Sequence, residues 1–191
     1  MTVFDVVEKR RLWKENITPE LTEHLVFLDE SGINTDMTRL YGRAPSSQRV
    51  VDHVPLSTPK TTTVLSSIRF NGEKAFTTYQ GGTTGERFLT YLQETLLPTL
   101  HQGDIVVMDN MRTHRMKAVG ELLASHGVTP IYLPPYSPDL NPIEKMWSKM
   151  KTILRSGKVR SIDALHDAVS QALEQISLLD CRHWINASFY Y

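Results

Sequence analysis

The chain has 191 residues, 40% of them hydrophobic and 22% charged, which is material for one ordinary folded core. Its 21 Lys and Arg balance 21 Asp and Glu, which argues against a whole-surface polyanion binder and turns attention to local charge. No apolar run approaches eighteen residues and no charged-then-apolar leader is present, so neither a membrane span nor a secretory signal is indicated; a reducing cytoplasm is expected, and the single Cys181 cannot form an internal disulfide.

Residues 1–24 read as a linker-like N-terminal segment with a small basic cluster, Lys9, Arg10, Arg11 and Lys14. The apolar run Leu25-Val26-Phe27-Leu28 predicts a first strand over 25–29, ending on Asp29. Glu30 points to the opposite face if that strand continues. From about Ile33 to Lys60 lies a loop carrying Arg39, Arg43 and Arg49, long enough for a compact domain to suggest a functional excursion. Residues 61–70 and 73–79 are expected to form an antiparallel hairpin through Asn71-Gly72. Thr83-Thr84-Gly85-Glu86 has the spacing of a capping box with Thr83 as the cap, and Phe88, Leu89, Leu92 and Leu96 follow at helical spacing until Pro98.

A strand over 104–109 then ends on Asp109, a helix over about 114–125 is closed by Gly127, and a short strand covers 128–133. Pro134, Pro135 and Pro138 keep the chain extended before the next helix, with Asn141 and Pro142 shaping its start. Within that helix Ile143, Trp147, Met150 and Leu154 form an apolar stripe, so Trp147 is read as structural. Glu144 lies about 100° round from Ile143 and shares its face with Ser148, Lys151 and Arg155. Residues 161–178 predict an amphipathic helix capped by Ser161, with Ile162, Leu165, Val169, Ala172 and Ile176 on one side. The aromatic end, with Trp184, Phe189, Tyr190 and Tyr191, is expected to dock on the domain or on a partner chain.

Asp29, Asp109 and Glu144 each stand where apolar sequence gives way to polar. Any one of them reads equally as a turn residue or a helix-terminal charge. Three carboxylates brought to one end of a sheet suit hard divalent cations, which want oxygen ligands. Two such ions about 3.5 to 4 Å apart can stabilise the attacking and leaving oxygens of a phosphoryl displacement. Between Lys145 and Arg160 there is no acidic residue, while Lys145, Lys149, Lys151, Arg155, Lys158 and Arg160 supply six positive charges. Such a run is either a solvated helix face or a contact for a phosphate backbone.

The surrounding motifs sharpen this. Asp109-Asn110-Met111-Arg112-Thr113-His114 is followed, with 34 residues between Asp109 and it, by Glu144 within Ser137-Pro138-Asp139-Leu140-Asn141-Pro142-Ile143-Glu144. With Leu28-Asp29-Glu30-Ser31-Gly32 and Leu40-Tyr41-Gly42-Arg43-Ala44-Pro45, this resembles the DDE transposase catalytic domain of the mariner-like superfamily, in its bacterial insertion-sequence branch. The resemblance covers roughly residues 9–155. It implies an α/β, ribonuclease H-like fold: a mixed five-stranded sheet, its first three strands antiparallel, flanked by helices. The first and fourth strands would then be neighbours, bringing Asp29 and Asp109 together across 79 residues. Residues 25–155 would be the catalytic domain and 156–191 a helical extension packed on it.

The resemblance further implies that Asp29, Asp109 and Glu144 are catalytic and hold two Mg²⁺ or Mn²⁺ ions. The activity implied is DNA cleavage and strand transfer at transposon ends, with joining to target DNA at TA. Lys145, Lys149, Lys151, Arg155 and Arg43 are the DNA-binding candidates. Asn110 would position substrate or orient Asp109; His114 is either an auxiliary site residue or a helix-start histidine bonded locally. A homodimer and a bacterial, nucleoid-associated location are implied as well. Asp29 arrives too early for a helix-turn-helix module to precede it, so a separate or missing N-terminal DNA-binding part is expected. Two alternatives stay open: another ribonuclease H-like nuclease, which has no reason to carry the segment around Glu144, and an inactive transposase-derived dimerisation or DNA-tethering module, against which the intact acids argue.

Overall fold

The computed structural model describes residues 3–56 and 60–189. Five strands form one sheet: β1 Leu25–Ile33, β2 Thr62–Arg69, β3 Lys74–Gln80, β4 Ile105–Met108 and β5 Thr129–Tyr132, in the order β3-β2-β1-β4-β5. β2 pairs antiparallel with β1 and with β3, whereas β4 runs parallel to both β1 and β5. This is the mixed, ribonuclease H-like sheet that the sequence resemblance implies.

The centre of the sheet is β1, and its sequence explains why. Leu25, Val26, Phe27 and Leu28 are all fully buried, as a strand covered on both faces requires. Side-chain alternation divides them between two cores. Leu25, Phe27 and Ile33 face the apolar stripe of α4 (Ile143–Gly157), backed by α5 (Leu165–Glu174) and α6 (Leu178–Phe189). Val26 and Leu28 face α2 (Gly85–Tyr91), its continuation through Leu92 and Leu96, and α3 (Lys117–Ser125). The stripe of α4 is buried as expected, Ile143, Trp147, Met150 and Leu154 all joining the first core. Cys181 is buried there too.

Several local expectations need correcting. The helix cap is Thr84, whose side chain accepts from the Arg87 amide, while the Thr83 hydroxyl bonds Tyr79 instead. The helix expected from 114 begins at Lys117; residues 112–115 form a turn, and His114 is fully buried beneath it. The helix expected over 161–178 is shorter, with a turn at 162–164 before α5 and no cap from Ser161. Ile162 is accordingly 36% exposed. Of the aromatic end, Trp184 packs partly against the first core; Tyr190 and Tyr191 lie outside the described residues. In the stretch read as linker-like, Val3–Asn16 forms a helix, α1, and Trp13 and Ile17 beside it reach the first core. The hairpin turn does form at Asn71-Gly72, with Gly72 at φ +86° and too close to Leu178 for a side chain.

Residues 34–56 carry neither helix nor strand; 57–59 lie outside the described residues. Much of this loop is held by the C-terminal end of α4 and the residues after it. Arg160 donates to the Thr35 and Met37 carbonyls and to the Thr38 hydroxyl, Arg39 donates to Ser156 Oγ, and Lys158 pairs with Asp52 at 2.6 Å.

At the end of the sheet remote from Asp29, Arg69 makes a bidentate pair with Asp104, both bonds 2.9 Å, with both side chains nearly fully buried. Removing one member strands the other charge in the core. Asp104→Ala is therefore expected to cost about 3–5 kcal/mol in denaturant unfolding. The start of α6 is closed by a capping box of Ser177 and Asp180, reinforced by Lys149 at 2.6 Å from Asp180. Lys149 chiefly, then the Ser177 donors, hold the Asp180 carboxyl down at about 2 against an ordinary 3.8. The stability this contributes is complete above pH 3.8 and is lost as pH falls through about 2. Asp180→Asn should abolish that part of the acid transition, read from thermal melts between pH 5 and about pH 2.

Candidate active site

The register of β1 and β4 explains the site. Leu25 pairs with Ile105, Val26 with Val106 and Phe27 with Val107; two steps further along both strands stand Asp29 and Asp109. Parallel strands finish at the same edge, and the shared parity puts both acids on the face covered by α4. Glu144, in the first turn of α4, completes the set. All three line one open cleft of about 670 Å³, together with Asn110, Arg115, Asn141 and the segment Leu133–Pro138.

Each acid is held differently. Asp29 Oδ2 accepts from Trp147 Nε1 at 3.3 Å and from Asn141 Nδ2 at 3.5 Å. Burial is the main force on its carboxyl, and the neighbouring charges of Glu144 and Glu30 add to it, so it is pushed up to about 7. Asp109 Oδ1 accepts from the Met111 amide at 2.9 Å and lies 2.7 Å from His114 Nδ1, an ion-pair contact bent away from hydrogen-bond geometry. Burial works to raise the Asp109 carboxyl, but His114 and the Met111 amide outweigh it and hold it below the ordinary range. Glu144 is exposed at the mouth.

His114 is fully buried between Glu30 Oε1, 3.1 Å from Nε2, and Asp109. Burial disfavours its charge, yet the two carboxylates prevail and raise it to about 9. Asn110 donates to the Leu133 carbonyl at 2.5 Å and accepts from Arg115. It thus braces the ends of β4 and β5 while also lining the cleft of the three acids. Of the basic candidates, Lys145 and Arg43 are exposed. Lys151 and Arg155 line a second cleft, of about 400 Å³, with Arg39. Burial, then Arg155, holds the Lys151 ammonium below its ordinary value. Lys149 instead faces α6 and is engaged with Asp180.

Sequence reasoning passed over three participants. Trp147 is an anchor, as read, and also a hydrogen-bond donor to Asp29. Asn141 does more than shape the start of α4. Glu30 lies on the opposite face from Asp29, as expected, yet belongs to the same network through His114. A further link fixes the loop before Glu144: Arg10 on α1 holds Asp139 through a bidentate pair, 2.8 and 2.6 Å.

Among the described residues, no three His, Cys, Asp or Glu side chains converge tightly enough to form a ready metal cluster. The donor set nevertheless fits a hard divalent cation. It is all oxygen, it stacks like charges without a cation between Asp29 and Glu144, and beside Asp29 the Asn141 Oδ1 is buried with no hydrogen-bond partner.

A five-stranded ribonuclease H-like sheet with acids at the ends of β1, β4 and the start of α4 defines a class of carboxylate-bearing nuclease-like domains. The chain belongs to the DDE superfamily endonuclease family, whose family model matches residues 24–166. Among solved structures it is similar to the Mos1 strand transfer complex (TM-score 0.76, 16% identity, 100% of this chain and 60% of that one). It is similar also to the mariner Mos1 paired end complex with Mg (0.75, 17%, 97% and 59%) and to the catalytic domain of Mos1 mariner transposase (0.69, 15%, 100% and 91%). The chain spans about 60% of the length of the Mos1 chains in those complexes. No curated protein matches. These matches overturn one expectation: the structural relatives are the eukaryotic mariner transposase Mos1, and the bacterial insertion-sequence branch is withdrawn. Among the described residues no helix is long and apolar enough to cross a membrane.

The raised carboxyl of Asp29 has a measurable sign. Because it sits above the ordinary 3.8, ionising it destabilises the fold; the penalty is absent at acid pH and grows as pH rises from 3.8 through about 7. Relative to Asp29→Asn, the metal-free wild-type chain should lose stability across that window in denaturant unfolding at fixed ionic strength. Parallel pH profiles for the two proteins would contradict it.

Proposed function

We propose that this chain is the catalytic domain of a DDE transposase, cutting DNA strands at transposon ends and joining them to target DNA at TA. One observation carries the reading: Asp29, Asp109 and Glu144, delivered by three separate elements, line a single open cleft. In this reading residues 25–155 are the catalytic domain, 156–191 a helical extension packed on it and 1–24 a preceding segment.

Asp29, Asp109 and Glu144 would hold the metal, two Mg²⁺ or Mn²⁺ ions. Bound there, such ions supply activation of a water or 3′-hydroxyl and stabilisation of the leaving oxygen. The chain's own residues do the rest. Trp147 and Asn141 orient Asp29, and His114 and the Met111 amide orient Asp109. Lys145, Lys151, Arg155 and Arg43 neutralise backbone phosphates, so binding weakens steeply with salt; Lys149, already paired, serves α6. The partners are DNA and a second copy of the chain, in the cell compartment that holds the DNA. Sequence-selective end recognition is assigned to a helix-turn-helix part outside these 191 residues.

Strand cleavage and transfer on a precut transposon end, with Mg²⁺ or Mn²⁺, test the reading. Loss of an ion ligand removes several kcal/mol of transition-state stabilisation, so Asp109→Asn and Glu144→Gln should each lower the rate by about 10³-fold or more. Undiminished cleavage by Glu144→Gln, or equal rates with Ca²⁺ and Mg²⁺, would refute it, and preference for an RNA–DNA hybrid would favour a ribonuclease H-type enzyme.

A further inference from the structure

Glu30 is an unexpected residue where it stands. Its neighbours on the same face of β1, Val26 and Leu28, belong to an apolar core with Phe88, Tyr91 and Met108. A carboxylate in such a place costs free energy unless it is partnered. Among the described residues Glu30 Oε2 is buried without a hydrogen-bond partner, and Oε1 offsets that cost through His114 Nε2 at 3.1 Å. An apolar side chain would serve the core better; the contact with the histidine is what a carboxylate adds.

His114 carries the contact across the sheet edge. Its ring is fully buried and packed against Phe88 at 4.5 Å between centroids, and its carbonyl accepts from the Tyr132 hydroxyl at 3.0 Å. Ring and backbone are thus both fixed. With acceptors at both nitrogens, Nε2 is committed to Glu30 and Nδ1 is aimed at Asp109 Oδ1, 2.7 Å away. The Met111 amide takes the same oxygen at 2.9 Å. Both contacts engage Oδ1, so Oδ2 is the oxygen left for the cleft that Asp109 lines.

We propose that Glu30 is a positioning residue: by anchoring the far side of the His114 ring, it fixes the carboxylate of Asp109 so that one oxygen is presented to a divalent cation. The proposal rests on the reading of the cleft as a metal site. Groups that hold a metal ligand from behind typically set its orientation and affinity, and their loss costs about 10- to 100-fold in metal binding.

Glu30→Leu and Glu30→Gln in the whole chain test it by two independent measurements. In metal-free protein, ¹⁵N-resolved NMR of the imidazole should show a hydrogen-bonded Nε2 proton in the wild type, lost in Glu30→Leu and retained in Glu30→Gln, whose amide oxygen still accepts from Nε2. In titration with Mn²⁺ alone, Glu30→Leu should bind about tenfold or more weakly, with Glu30→Gln falling between it and the wild type. A melting temperature of Glu30→Leu equal to or above that of the wild type separates positioning from a structural role. If the leucine variant does not fold, Glu30→Asp, one methylene too short to reach the ring, replaces it. An unchanged ring proton, or wild-type Mn²⁺ affinity, in the folded variant overturns the proposal. A wild type that binds no Mn²⁺ refutes the metal-site reading instead; the ring proton still decides whether Glu30 holds His114.

Discussion

The parallel pairing of β1 with β4 is the constraint on which the rest depends. Two strands far apart in sequence run in the same direction, in a register that sets Phe27 beside Val107. Their ends therefore coincide, and their acids share a face. A slip of one residue in either strand would turn its acid to the other side of the sheet. The register is protected by burial, since the same slip would exchange Leu25 and Phe27 with Val26 and Leu28 between two differently shaped cores. Packing thus secures chemistry without any direct contact between the two carboxylates being required.

The arrangement works against local stability. Asp29 is pressed upward by burial and by the charge of Glu144, and among the described residues no basic side chain forms an ion pair with it. Groups from separate elements steady the acids instead: hydrogen bonds from the indole of Trp147 and the amide of Asn141 for Asp29, and the Met111 amide with the ion-pair contact of His114 for Asp109. Such a site is ordered in geometry but unbalanced in charge, which is the condition a divalent cation relieves. The loop before Glu144 is tied down from outside the sheet by the Arg10–Asp139 pair, so α1 contributes to the placing of the third acid although it carries none of the three.

Positive charge is divided between construction and surface. Lys149 supports the start of α6, and Lys158, Arg160 and Arg39 fasten the loop after β1 to the end of α4. Lys151 and Arg155 have a different setting, in a shared cleft on the side of α4 that also carries Glu144. A basic run in sequence is therefore several things at once in the fold. Which lysine meets a partner depends on whether an internal carboxylate has already taken it.

Much of this protein is written in local pattern. Period-3.6 spacing marked the buried stripe of α4, Asn71-Gly72 marked the hairpin, and apolar runs ending on Asp29 and Asp109 marked two central strands and the candidate acids, because burial and backbone geometry act over a few neighbouring residues. The misjudged points were of another kind. Thr84 and not Thr83 caps α2 because the Thr83 hydroxyl is drawn to Tyr79; α3 begins late because His114 is pulled beneath the turn by Glu30 and Asp109. Trp147 acquires a second role from Asp29. In each case the deciding partner is brought in by tertiary contact, and its hydrogen bond or charge outweighs the small local preference that spacing records. The sequence by itself determined the five strands, the helix that begins at Ile143 and the candidate acids. Only the three-dimensional structure decided which side chains meet, since that depends on groups up to 129 positions apart in the chain.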